Sequence, residues 1–126
     1  MKDSRPVNLD LATVSFPITA IASILHRVCA VIVWVGVAFY LIALNALLGS
    51  KESFDQFHLL MQTNFLVQFT AWGLLSAFSY YCMGSIKHII QDFGYFEDFE
   101  GGKMISWAAI VTGALLSVFV GVLIWL

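Results

Sequence analysis

The apolar and polar positions of the chain fall into three long apolar runs separated by short polar stretches. The first runs from about Ile18 to Leu48 and carries no charge from Val28 onward. The second, Phe65 to Ile86, and the third, Met104 to Leu126, carry no charge at all. Each is as long as the roughly 20 residues that a helix needs to cross about 30 Å of hydrocarbon. No segment shows the roughly ten-residue alternation of a membrane-barrel strand, and helices are the remaining way to satisfy backbone groups in lipid. The pattern predicts an all-α integral membrane protein forming one membrane domain. Its transmembrane helices are expected over 18–48, 62–90 and 104–126, after an N-terminal segment 1–16. Three helices make a small bundle, so a partner helix or subunit is expected beside it.

Composition sharpens this picture by exclusion. Of 126 residues, 60% are hydrophobic and 11% charged, with mean hydropathy +0.89, against about 25% charged in soluble domains. A chain this short cannot hide so much apolar surface in water. With six Lys and Arg against eight Asp and Glu, it offers no basic surface for nucleic acid. A soluble enzyme, a nucleic-acid binder and a disordered chain are excluded.

The start, Met1-Lys2-Asp3-Ser4-Arg5-Pro6, is too polar for a signal peptide, and the first run is too long for one. It reads as a retained anchor, with Pro17 in a first-turn position and Asp10 capping a short amphipathic piece before it. Lys2, Arg5 and Arg27 lie toward one side with Lys87 and Lys103, and Lys51 toward the other. The positive-inside rule then places the N-terminus and the second loop in the cytoplasm and the C-terminus outside. Cys29 and Cys82 both fall within spans and read as small packing residues.

Polar residues at membrane depth are costly and commonly face a cavity, partner or ligand. In the first run, Thr19, Ser23 and Arg27 recur every four residues, with His26 on the same face. A hydroxyl and a guanidinium on an apolar wall can hydrogen-bond the carbonyls of a hydrophobic ligand. The plainer reading is that Arg27 snorkels to headgroups and Ser23 bonds its own backbone. In the second run, Tyr81, Ser85, His88 and Asp92 form a stripe beside Lys87. Asp92 can orient or pair with His88; the plainer reading is a membrane-boundary band of Tyr, Lys and His. In the third, Ala109, Gly113, Ser117 and Gly121 repeat every four residues and allow close helix approach, as Gly73 and Ala77 do in the second. His58, among Lys51, Glu52 and Asp55 in or beside the short first loop, reads as a solvated interfacial histidine.

Two motifs carry a family resemblance. Arg5-Pro6-Val7-Asn8-Leu9-Asp10-Leu11, followed by Phe16 to Arg27 with Ser23-Ile24-Leu25-His26-Arg27, closely resembles the cytochrome b556 membrane-anchor subunits of bacterial succinate dehydrogenase. Gly84-Ser85-Ile86-Lys87-His88 with Asp92-Phe93-Gly94-Tyr95 is similar to the family's second-helix segment H-x-x-x-G-x-R-H-x-x-x-D. The resemblance covers almost the whole chain. It implies a chain without catalytic residues of its own that anchors a flavoprotein subunit and an iron–sulfur subunit to the bacterial cytoplasmic (inner) membrane. A second small anchor subunit lies alongside, and electrons pass from succinate to ubiquinone. It also implies a quinone site lined by Ser23, Ile24 and Arg27, with Ser23 on a quinone carbonyl and Arg27 on the developing charge.

The resemblance further implies a haem b pocket involving His26, Arg27, Tyr81, Lys87 and His88. Here the sequence departs from the family, because Tyr81 stands where the family has its iron-ligating histidine. Ser85 and Lys87 replace the usual glycine and arginine. Three arrangements stay open: iron held from the partner with Tyr81 or no side chain on this face, ligation by His26 instead, or no haem. Two rivals to the quinone-site reading are a purely structural anchor and a small transporter subunit. The clustering of Ser23, Arg27, Tyr81 and Lys87 toward one side disfavours the transporter.

Overall fold

The computed structural model describes Asp10 and residues 12–126; Lys2 and the Arg5-Pro6 motif lie outside the described residues. Four helices follow one another, α1 (Ile18–Leu47), α2 (Lys51–Thr63), α3 (Phe65–Asp92) and α4 (Phe99–Trp125). The three apolar runs become α1, α3 and α4. The short helix α2 lies where a loop is expected from sequence.

Local chemistry sets the boundaries. Pro17 is the N-cap of α1 rather than its first helical residue, and its carbonyl accepts from the amides of Ala20 and Ile21 at 3.0 and 3.1 Å. Asp10, ahead of it, closes a turn instead of capping a helix: its carboxylate accepts from the Ala12 amide at 3.0 Å. Ser50 caps α2 by accepting from the Ser53 amide, and Asn64 caps α3 through the amides of Leu66 and Val67. The fourth helix starts at Phe99, ahead of the charge-free run, because Asp98 accepts from the Gly101 amide and a Lys103–Glu100 pair at 3.1 Å stabilises the first turn. Between α3 and α4 the chain turns through Gly94 at φ 83°, with Tyr95 N–H on Ile90 O and Gly94 N–H on Gln91 O. This pairing satisfies the last carbonyls of a helix that ends at a left-handed glycine.

Small residues hold the bundle together. The buried apolar residues are Ala22, Cys29, Ala77, Tyr80, Ile105 and Ala109, so the helix axes approach closely and the large side chains point outward. The most extensive contact is between α3 and α4. The small-residue stripe of α4 faces α3 of the same chain: a Cβ at Gly113 would lie 2.6 Å from the Tyr80 ring, and Ser117 Oγ meets Ser76 Oγ at 2.7 Å. Beyond it, Trp72 Nε1 donates to Ser117 O at 3.0 Å and Trp125 Nε1 to Gln68 Oε1 at 3.1 Å, within a cluster of Phe65, Phe69, Trp72 and Trp125 rings.

Helices α1 and α4, each containing an 18-residue stretch of mean hydropathy 2.3, are long and apolar enough to cross a membrane. Their outer faces carry exposed side chains such as Trp34, Val31, Leu115 and Val118, a surface that suits lipid better than water. The 28 residues of α3 are long enough as well, at about 1.5 Å per residue, but less apolar. Many of its hydroxyls are satisfied on the helix itself: Thr70 donates to Leu66 O, Ser79 to Leu75 O and Ser85 to Tyr81 O. An open apolar groove of about 1030 Å3 runs between α1 and α3, with Phe57 and Met61 of α2 at one end.

Candidate functional site between α1 and α3

The sequence marks one face of α1 and one stripe of α3 as candidates, and the structure brings parts of them into contact. His26 turns inward. Its ring lies parallel to Tyr81, with centroids 4.9 Å apart and planes 3° from each other, and tilts against His88 at 5.2 Å. His26 Nε2 is 3.2 Å from Ser85 Oγ. Gly84 forms the floor of this slot, since a Cβ there would run into His26 Cδ2. The imidazole of α1 therefore fits a recess that α3 makes from Gly84, Ser85, Tyr81 and His88.

The Ser85 hydroxyl lies between two partners. Ser85 Oγ donates its single proton to Tyr81 O at 2.9 Å. The same hydroxyl lies 3.2 Å from His26 Nε2, within hydrogen-bond reach.

The other residues of the α1 face divide. Ser23 is half-buried, whereas Ile24 and Arg27 are exposed. On α3, His88 and Asp92 are exposed, and His88 lies within electrostatic reach of Lys87, His26, Arg27 and Asp92. Lys87 lies off the stripe, as its position beside it in the sequence implies. It follows Tyr80 by two turns on the same helix face, and both are buried, at 7% and 6% exposure. Arg27 and His88, with Asp92, thus mark a charged end to an otherwise apolar α1–α3 pair. Beside Tyr81, a cavity of about 240 Å3 opens along α1, lined by Ala30, Val33, Trp34 and Val37.

Two residues that organise the site are not singled out by sequence. Tyr80 is buried and its hydroxyl donates to Ala22 O at 3.0 Å, one turn before His26. Its ring also rests on Gly113, so it joins all three long helices. Gly84 is the other. Its signal was present in the small-residue spacing of Gly73 and Ala77, which reaches Gly84 after two further turns. Gly73 itself meets no side chain, so the spacing matters at its far end. His58 is exposed on α2, Cys29 packs in the core beside Ala77 and Tyr80, and Cys82 is half-buried; both cysteines are free. Among the described residues, no three His, Cys, Asp or Glu side chains gather closely enough to hold a metal ion.

Comparison with known proteins agrees with this architecture. Residues 1–120 match the family model described as succinate dehydrogenase/fumarate reductase transmembrane subunit. A Coxiella burnetii protein named succinate dehydrogenase cytochrome b556 subunit is 32% identical over 125 residues, covering 99% of this chain and 100% of that protein. With both matches spanning nearly its whole length, the chain belongs to the family of succinate dehydrogenase/fumarate reductase transmembrane subunits.

Proposed function

We propose that the chain helps build the ubiquinone-reduction site of a succinate dehydrogenase complex in the bacterial inner membrane. In this reading α1, α3 and α4 all cross the bilayer, with the N-terminus cytoplasmic and the C-terminus periplasmic. A second small anchor subunit lies beside them, and the iron–sulfur and flavoprotein subunits sit over the charged end.

The observation that carries this reading is the pinned turn of α1. Tyr80 holds the Ala22 carbonyl and the α3 slot holds His26. Between and beside them on the same helix, Ser23 is half-buried and Ile24 and Arg27 are exposed. From there the Ser23 hydroxyl donates to one quinone carbonyl and Ile24 supplies apolar wall. The Arg27 guanidinium stabilises the negative charge that develops on the quinone oxygen during reduction, which a pre-oriented cation does more effectively in a low-dielectric site than in water. Electrons reach the quinone from outside this chain, which has no cysteine motif for a cluster.

A haem b beside this subunit is part of the same reading, supported by the word cytochrome in the name of the Coxiella relative. The exposed basic side chains Arg27 and His88 fit the carboxylates of such a group. At the position where the family has its iron-ligating histidine, this chain has Tyr81, stacked on His26.

The test is Ser23→Ala and Arg27→Leu in the assembled complex. Succinate-to-quinone turnover should fall at least tenfold while dye-linked succinate oxidation is unchanged. Full turnover in both variants would overturn the quinone role. Loss of membrane attachment, with normal turnover per assembled complex, would leave a structural anchor only.

A further inference from the structure

The His26 slot decides a point on which the sequence leaves three arrangements open. An iron ligand must present a lone pair, and imidazole commonly does so through Nε2 or Nδ1 once the other nitrogen carries the proton. Here Nε2 is held by Ser85 Oγ at 3.2 Å, and that hydroxyl also reaches Tyr81 O at 2.9 Å. One face of the ring is covered by Tyr81, His88 leans against it, and Gly84 closes the floor. His26 is used up in joining α1 to α3.

Tyr81 is held through its ring. Its ring lies flat on His26, and the cavity it borders is lined by Ala30, Val33, Trp34 and Val37, which offer no partner to a charged phenolate. Tyrosine ligates haem iron as the phenolate, so this setting disfavours it. His88 lies at the exposed end of the stripe, two turns from Tyr81, and its ring leans on His26.

We propose that this chain supplies no axial ligand to a haem in its complex, and that the residues at the ligand position, His26, Tyr81 and Ser85, instead form a closed clamp between α1 and α3. The chain then offers a haem only an apolar wall along α1 and basic side chains at the charged end. This rests on the reading that a haem b lies beside the chain, and the experiment separates the two.

The assembled complex is purified with native chain, with Tyr81→Phe, which keeps the stacked ring, and with His26→Gln, which keeps a donor for Ser85. Haem content is measured as the pyridine haemochrome. The axial field of the iron is read from electron paramagnetic resonance and near-infrared magnetic circular dichroism of the ferric form. The expected result is equal haem content and superimposable ferric spectra in all three. A change of spin state or loss of an axial signature in either variant, with haem still present, would overturn the assignment while leaving the haem reading intact. Loss of haem from either variant while the native complex keeps it would also overturn the assignment, and a native complex without haem would overturn the haem reading and the assignment with it.

Discussion

His26 of α1 and Tyr81 of α3 lie ring on ring, 4.9 Å apart and 3° from parallel. The pair is part of the packing that fixes the rotation of α1 against α3, and hence the direction in which Ser23 and Arg27 point. Such aromatic pairs contribute about 0.5–1.5 kcal/mol beyond their buried area. Tyr81→Phe should leave the melting temperature of the assembled complex unchanged, while Tyr81→Ala should lower it. Thermal unfolding in detergent, followed by intrinsic fluorescence, checks both.

Gly84→Ala should be more damaging than a helix-interior Gly→Ala usually is. Alanine favours helices over glycine by roughly 1 kcal/mol, but the new Cβ would run into His26, and overpacking of this kind costs about 1–3 kcal/mol. Combining it with His26→Ala, which vacates the slot, should recover part of the loss. A double-mutant cycle on complex stability measures that coupling, and strict additivity would contradict the slot.

Tyr80→Phe deletes a hydroxyl that donates to Ala22 O in a buried setting. The expected cost is about 1 kcal/mol. Because the lost bond anchors the turn ahead of Ser23, the apparent KM for quinone should rise more than kcat falls. A variant that only lowers assembly yield, with unchanged KM, would assign Tyr80 to packing alone.

At the other end of the bundle, Trp72→Phe removes the donor to Ser117 O. Side-chain hydrogen bonds between membrane helices average about 0.6 kcal/mol, so a small loss is expected. It should add to that of Gly84→Ala, since the two sites share no partner. Melting curves of the single and double variants test this.

The three long helices were legible because a charge-free run of this length has few alternatives, and the family was legible in the Ser23-to-Arg27 motif. The helix α2 was not. Its apolar residues Phe54, Phe57 and Met61 are interleaved with Lys51, Glu52, Asp55 and His58, so it lacks the continuous apolar run by which the others announce themselves. Its start was marked by Ser50, whose cap on Ser53 is a local signal. At the site, spacing put Ser23, His26 and Arg27 on one face of α1. It could not say that His26 turns inward while Arg27 stays out, because that depends on a missing Cβ at Gly84, far along the chain. Lys87 likewise sits beside Tyr81 and His88 in the sequence but falls on the buried Tyr80 side of α3.

The clamp has a consequence for how the chain can change. Positions 26, 81, 84 and 85 behave as one unit: the imidazole needs the bare glycine, the stacked phenol and the hydroxyl together. Replacing Tyr81 by histidine would add an imidazole beside those of His26 and His88 and remove the phenol face, while leaving the His26–Ser85 contact in place. A histidine returned to position 81 would therefore enter a site whose geometry is already spoken for, and routes to a different arrangement pass through paired substitutions rather than single ones.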